Sequence, residues 1–203
     1  MRIVVKAEIP ARVRAILAKV RDLSGLTAYC SNLVARQVRD HLGREAAVRH
    51  SWARRLGAEP TGFLEDAAAS VVAAPEPRAV VVRVDSPGVV RAYRAVDIRP
   101  RNGSTHLTVP VHRLAYGRRA SSLVRAVGAR LFRVESKRGN KLLATRDPAD
   151  GSLVPLYALK LAVRQDRDPS LMPSDVEIAG TIAAGTKEYI RRHIAAAGGR
   201  RSA

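Results

Sequence analysis

The chain has 203 residues, enough for one hydrophobic core or for one core with a helical appendage. Hydrophobic residues make up 46 %, which excludes wholesale disorder, and no run of about 18 apolar residues offers a membrane span. The formal net charge of +18 points toward a polyanionic or acidic partner. A GC-rich coding bias toward arginine would also produce it, because only six of the 36 basic residues are lysine (Lys6, Lys19, Lys137, Lys141, Lys160 and Lys187).

Taken in chain order, "MRIVVKAEIP" carries Lys6 and Glu8 within its apolar stretch and lacks a signal-peptide pattern. Residues 10–24 are predicted to form a helix, with Pro10 in its first turn and Val13, Ile16, Leu17, Val20 and Leu23 at three- and four-residue steps. A second helix is predicted from about 26 to 42, through Leu26, Leu33, Val34, Val38 and Leu42, with Cys30 on its apolar side. Cys30 is the only cysteine, so no internal disulfide forms, which fits a reducing compartment. A loop around Gly57, Pro60 and Gly62 then leads into a short helix expected to end near Val72.

From Pro75 onward the pattern changes to strands. Val80, Val82 and Val84 alternate with Val81 and Arg83, and Ser86-Pro87-Gly88 reads as a turn, followed by a loop through Tyr93 and Arg94. Asn102-Gly103 has turn chemistry. Leu107, Val109 and Val111 alternate with Thr108 and Pro110, which predicts a strand with the first three on its buried face. Tyr116-Gly117 then turns the chain, and Arg118 and Arg119 follow. Leu131–Val134 and Leu142–Thr145 read as a hairpin across Gly139-Asn140, and "SLVPLYALKLAVRQ" as a further β run. Asp168-Pro169 and Pro173 frame either a plain connector or a protruding docking loop. Ser174 with Glu177 three residues on forms a capping box for a terminal helix running to about Ala197. Helices first, then antiparallel strands, then a helix, describe an α+β fold: N-terminal helices, a mainly antiparallel β-sheet and a C-terminal helix.

The chain shows no constellation that chemistry requires. His41, His50, His106, His112 and His193 have no i,i+4 spacing on a helix, and no cysteine pair assists them. Neither a GxSxG elbow nor a GxxxxGK[ST] loop is present. Asp147, Asp150, Asp166 and Asp168 fall in turns, where local geometry accounts for them. No catalytic, metal or cofactor residue is therefore assigned, and the chain is not expected to be an enzyme. A hydrolase with an unrecognised site is disfavoured by the same scarcity of placed acids and histidines.

Five short segments, in order, resemble the phage virion-morphogenesis family of Mu-like and related prophages, whose members act in tail completion. They are "RRLGAEPTGFLEDAA", "GVVRAYRAVDIRP", "THLTVPVHRLAYGRRA", "ARLFRVESKRGNKLLA" and "VPLYALKLAVRQDRDPSLMPSD". Together they extend the likeness over about residues 36–195, with Ala92 to Ala95 standing where the family has a glycine pair. The resemblance implies a non-catalytic structural protein of the phage neck. It implies assembly into a homo-oligomeric ring, six-fold to match the tail, beside tail-tube or terminator and head-completion or connector proteins. It also implies transient contact with passing DNA, and a place in the virion after assembly in the host cytoplasm. On this reading residues 1–43 form an N-terminal helical segment, 44–197 the tail-completion-like domain and 198–203 a flexible tail. Arginines at turns suit ring contacts, because they pair bidentately with carboxylates and tolerate passing phosphates. Arg99, Arg101, Arg118, Arg119, Arg164 and Arg167 are the candidate subunit, partner or DNA contacts. A sequence-independent nucleic-acid-binding protein is the alternative that the charge itself suggests.

Overall fold

A computed structural model describes residues 3–8, 23–128 and 130–198. The helix predicted over 10–24 lies outside the described residues except for its last two positions, and so does the tail after Gly198. The fold is α+β, with a long helix near the N-terminus, antiparallel sheets and a C-terminal helix. It divides into two compact units. Unit one takes residues 1–46, 63–94 and 168–203, and unit two takes 47–62 and 95–167.

Unit one is built on a three-stranded antiparallel sheet with β3 (Ala79–Val84) between β1 (Ile3–Glu8) and β2 (Val71–Ala73). Helix α1 (Leu23–Val48) buries Leu26, Cys30, Val34, Val38 and Leu42, the stripe that the i, i+4 spacing predicts. The alternation expected in β3 holds only in part. Val81 is as fully buried as its neighbours, while Arg83, two residues on along the same face, is exposed, so that face is closed at one end and wet at the other. The Val81 N–H donates to the buried Ser31 hydroxyl of α1 at 3.3 Å. After the short helix α2 (Ser51–Leu56), which belongs to unit two, helix α3 (Phe63–Ala69) ends before Val72, and the chain continues as β2, whose Val71 carbonyl accepts a bond from Arg39 at 3.1 Å.

The segment expected to be a turn and loop after β3 is helix α4 (Pro87–Arg94). Ser86 Oγ accepts from the Val89 N–H at 3.5 Å and Pro87 opens the first turn, so this Ser-Pro pair is a helix start. Ala95, just past the helix, takes φ +54°, a left-handed conformation that glycine adopts more cheaply. Residues 168–173 are a packed connector. Leu171 and Met172 are buried in the core, the Asp168 N–H donates to the Ala92 carbonyl at 2.8 Å, and His41 Nε2 lies 2.9 Å from the Ser170 carbonyl.

Helix α6 (Asp175–Gly198) begins with the predicted capping box. The Ser174 hydroxyl and N–H both donate to Glu177 Oε2 at 2.7 Å, and the Glu177 N–H donates to Ser174 Oγ at 3.3 Å. Those bonds, the side-chain one foremost, hold the Glu177 carboxyl below its ordinary pKa. At Gly185 this helix comes so close to α1 that a Cβ would sit 2.6 Å from Leu33 Cδ1 and 3.4 Å from Cys30 Sγ. Cys30 packs in that contact with Thr186 Oγ1 at 3.8 Å, and burial pushes its thiol pKa up, as befits a core residue.

Unit two holds a two-stranded ribbon, β4 (Val96–Ile98) with β9 (Val163–Gln165), and a four-stranded antiparallel sheet in the order β5-β8-β7-β6. The sheet strands are β5 (Leu107–Pro110), β6 (Phe132–Glu135), β7 (Lys141–Arg146) and β8 (Leu153–Lys160). The predicted hairpin pairs Phe132 with Ala144 and Val134 with Leu142. Register slips between Leu143 and Ala144, so that Pro155 and Tyr157 on β8 oppose two consecutive residues of β7. Leu156 is the extra residue of this β-bulge, which lets Leu156 and Tyr157, adjacent in sequence, enter the same core. Ala115 and Leu123 complete that core from above the sheet. Val109 is only half-buried, and Val111, beyond the end of β5, is 37 % exposed, so the buried face expected of β5 is weaker than its alternation suggests.

Candidate basic interface

All six arginines singled out from the sequence belong to unit two, and all six are exposed. They occupy two places. On the β4–β9 ribbon, Val96, Ile98, Val163 and Gln165 are half-buried while Asp97 and Arg164 alternate outward. Register sets Asp97 directly opposite Arg164. Arg164 Nε also lies 3.4 Å from Asp166 Oδ1, with side chains 79 % and 89 % exposed, a pair worth little in water. Arg99 leaves the end of β4, and Arg167 follows β9. Arg101 opens the predicted turn: Asn102 (φ +56°) and Gly103 (φ +75°) are both left-handed, and the Ser104 N–H donates to the Arg101 carbonyl at 3.2 Å.

Arg118 and Arg119 stand between a 3-10 turn (Arg113–Ala115) and helix α5 (Ala120–Val127), an element that the sequence reading did not anticipate. His112 Nδ1 caps the 3-10 turn by accepting from the Leu114 N–H at 3.3 Å. His106 pairs instead with the adjacent Thr105 hydroxyl, so these two histidines serve local geometry. Gly117 takes φ +69°, and a Cβ there would meet Thr61 Cγ2 at 2.9 Å, so this turn needs glycine on both counts. The buried Tyr157 hydroxyl donates to the Arg118 carbonyl at 3.1 Å. The Arg119 carbonyl accepts from the Leu123 N–H at 3.0 Å and from Ser122 Oγ at 2.8 Å. The backbone of both arginines is thus fastened to the sheet and the helix, while their guanidinium groups remain outside.

Electrostatically the placement is costly for the fold. Arg119 is the N-cap of α5 and no acid occupies the first turn, so two cations sit at the positive end of the helix dipole. Burial raises the Tyr157 phenol pKa, and the charge of Arg118 partly opposes that rise.

At the 3-10 turn lies a concavity of about 700 Å³ whose lining includes His112, Arg113, Leu114, Arg130, Phe132 and Arg146. Arg146 Nη1 donates to the Gly151 carbonyl at 3.1 Å, which holds its side chain along the Asp147–Gly151 turn. Arg113, Arg130 and Arg146 were missed by the sequence reading, since only the fold of β6, β7 and the 3-10 turn brings them to one place. Among the described residues no group of three His, Cys, Asp or Glu side chains could hold a metal ion. The Asp147 and Asp150 carboxylates accept from the N–H groups two residues on, Ala149 and Ser152, as turn acids do. No described helix is long and apolar enough to cross a membrane. No family model matches the chain, and no curated protein or solved structure does either.

Proposed function

We propose that the chain is a structural subunit of a tailed phage or phage-like particle, acting in tail completion or head–tail connection at the neck and assembling as a homo-oligomeric ring. The observation that carries this reading is the double-arginine turn. It is locked by Tyr157 and Gly117 at its backbone and exposed at its charges, and it lies within the segment most similar to the virion-morphogenesis proteins. A ring subunit presents two different patches to its neighbours. A rigid turn bearing cations is suited to one of them, with acidic groups of a neighbouring subunit or tail protein as its counterpart. The site of action is then the virion neck, reached by assembly in the host cytoplasm. Electron microscopy of the purified protein, and of particles assembled with Arg118→Glu/Arg119→Glu, tests this. Rings and loss of the variant from purified particles are expected. A variant incorporated as well as the wild type would overturn the placement of this turn at a contact.

The arginine-lined concavity, with the +18 charge, favours a second reading, sequence-independent nucleic-acid binding. It requires affinity for any oligonucleotide that falls steeply with salt and drops when Arg113 and Arg146 are neutralised.

A further inference from the structure

One end of the four-stranded sheet carries a second concavity, of about 550 Å³, of different character. Its floor is apolar. Register aligns Val109 with Ala158, Ala158 with Leu142, and Leu142 with Val134, so one row of small and branched side chains crosses all four strands. Each of the four is half-buried. Leu142 and Ala158 line the concavity directly, together with the exposed Val111. The rim is cationic: Lys137 and Arg138 at the hairpin tip, Lys141 at the start of β7 and Lys160 at the end of β8. Register sets Lys141 opposite Glu135, whereas Lys137, Arg138 and Lys160 have no ion pair among the described residues. No carboxylate lines the concavity. Three of the chain's six lysines meet here, in a protein whose other basic residues are nearly all arginine.

We infer that this groove is a docking site for an acidic segment of another protein, one that places apolar side chains on the Ala158–Leu142 row and carboxylates against Lys137, Arg138 and Lys160. Charge complementarity selects the acidic partner, because three cations without an ion pair line the groove and no carboxylate does. The apolar floor selects a peptide over a nucleic acid. No aromatic ring lines the groove on which a base could stack, and an apolar floor gives nothing to a phosphate backbone. The inference does not depend on the particle reading, since it rests on a different surface from the double-arginine turn.

Fluorescence anisotropy with a labelled peptide alternating glutamate and leucine tests it on the full chain. Binding is expected, with polyglutamate markedly weaker because it leaves the apolar row unused. Lys137→Glu/Lys160→Glu should weaken the peptide about tenfold or more, equivalent to about 1.4 kcal/mol. Arg118→Glu/Arg119→Glu, elsewhere in the same unit, should leave it unchanged. Circular dichroism of both variants reports whether they fold, and Leu142→Ala gives a second route to the same loss without altering charge. Equal weakening by the two charge reversals would overturn the site, as would an oligonucleotide that binds there in place of the peptide. Sedimentation showing that Lys137→Glu/Lys160→Glu dissolves a self-assembled form would assign the groove to a second copy and overturn the inference as well.

Discussion

The double-arginine turn allows its anchoring and its charge to be separated by two substitutions. Tyr157→Phe keeps the ring in the core formed with Ala115, Leu123 and Leu156, and removes only the hydroxyl that reaches the Arg118 carbonyl at 3.1 Å. One net hydrogen bond is worth about 0.5–1.5 kcal/mol, and the freed carbonyl belongs to an exposed residue that water can reach, so a loss of about 1 kcal/mol is expected. For a unit of this size unfolding as one block, that corresponds to about 4–8 °C in Tm. Arg118→Glu/Arg119→Glu should behave oppositely. Exposed substitutions usually fall within about 0.5 kcal/mol, and acids at the N-terminal end of α5 gain about 0.3–1 kcal/mol from the helix dipole. Stability should therefore be unchanged or slightly raised, while the proposed contact should be lost. Urea and thermal unfolding followed by circular dichroism measure both. A charge reversal that destabilises by more than about 1 kcal/mol, beside a neutral Tyr157→Phe, would show that the arginines serve the fold and would refute this reasoning.

Two glycines of α6 form a matched pair. Nothing lies within 4 Å of a Cβ at Gly180, so Gly180→Ala should stabilise by about 1 kcal/mol through helix propensity. Gly185→Ala gains the same propensity but must displace Leu33 at 2.6 Å, an overpacking cost of about 1–3 kcal/mol, so it should come out neutral to destabilising in the same melts. Ala95→Gly relieves a φ of +54° and should stabilise by up to about 1 kcal/mol in urea unfolding. Because Glu177 has a lowered folded-state pKa, its contribution is complete above the ordinary carboxylate value of about 4.3 and is lost as pH falls through the lower folded value. The urea midpoints of wild type and Glu177→Gln should therefore converge in acid, and a gap that stays constant with pH would contradict the capping box. Tyr157, with a raised pKa, stabilises fully below its unfolded value of about 10, and this is lost as pH rises through the folded value. Tyr157→Phe should thus lose less stability than the wild type at high pH.

What the sequence disclosed follows from the range of the forces involved. The stripe of α1, the capping box at Ser174, the Asn102-Gly103 turn and the hairpin across Gly139-Asn140 are each set by residues within a turn or two of one another. They were legible for that reason. Ser86-Pro87-Gly88 failed because the same three residues suit a turn and a helix start. The choice fell to Val89, Val90 and Ala92, whose burial in the unit-one core makes the helical face useful. Val81 failed because alternation presupposes a face that is wet along its whole length, and this one is wet at Arg83 but closed at Val81. The candidate interface divides in the same way. Arg118 and Arg119 could be named from a glycine turn and two adjacent cations, yet their anchor is Tyr157, 39 residues away, placed in the core beside Leu156 by a bulge that no local pattern announces. The lysine-rimmed groove is further still from sequence, since Leu142 and Ala158 meet on its floor only through the register of β7 with β8. A row such as Val109–Ala158–Leu142–Val134 has no expression along the chain, because residues far apart in sequence become neighbours only through the pairing of strands.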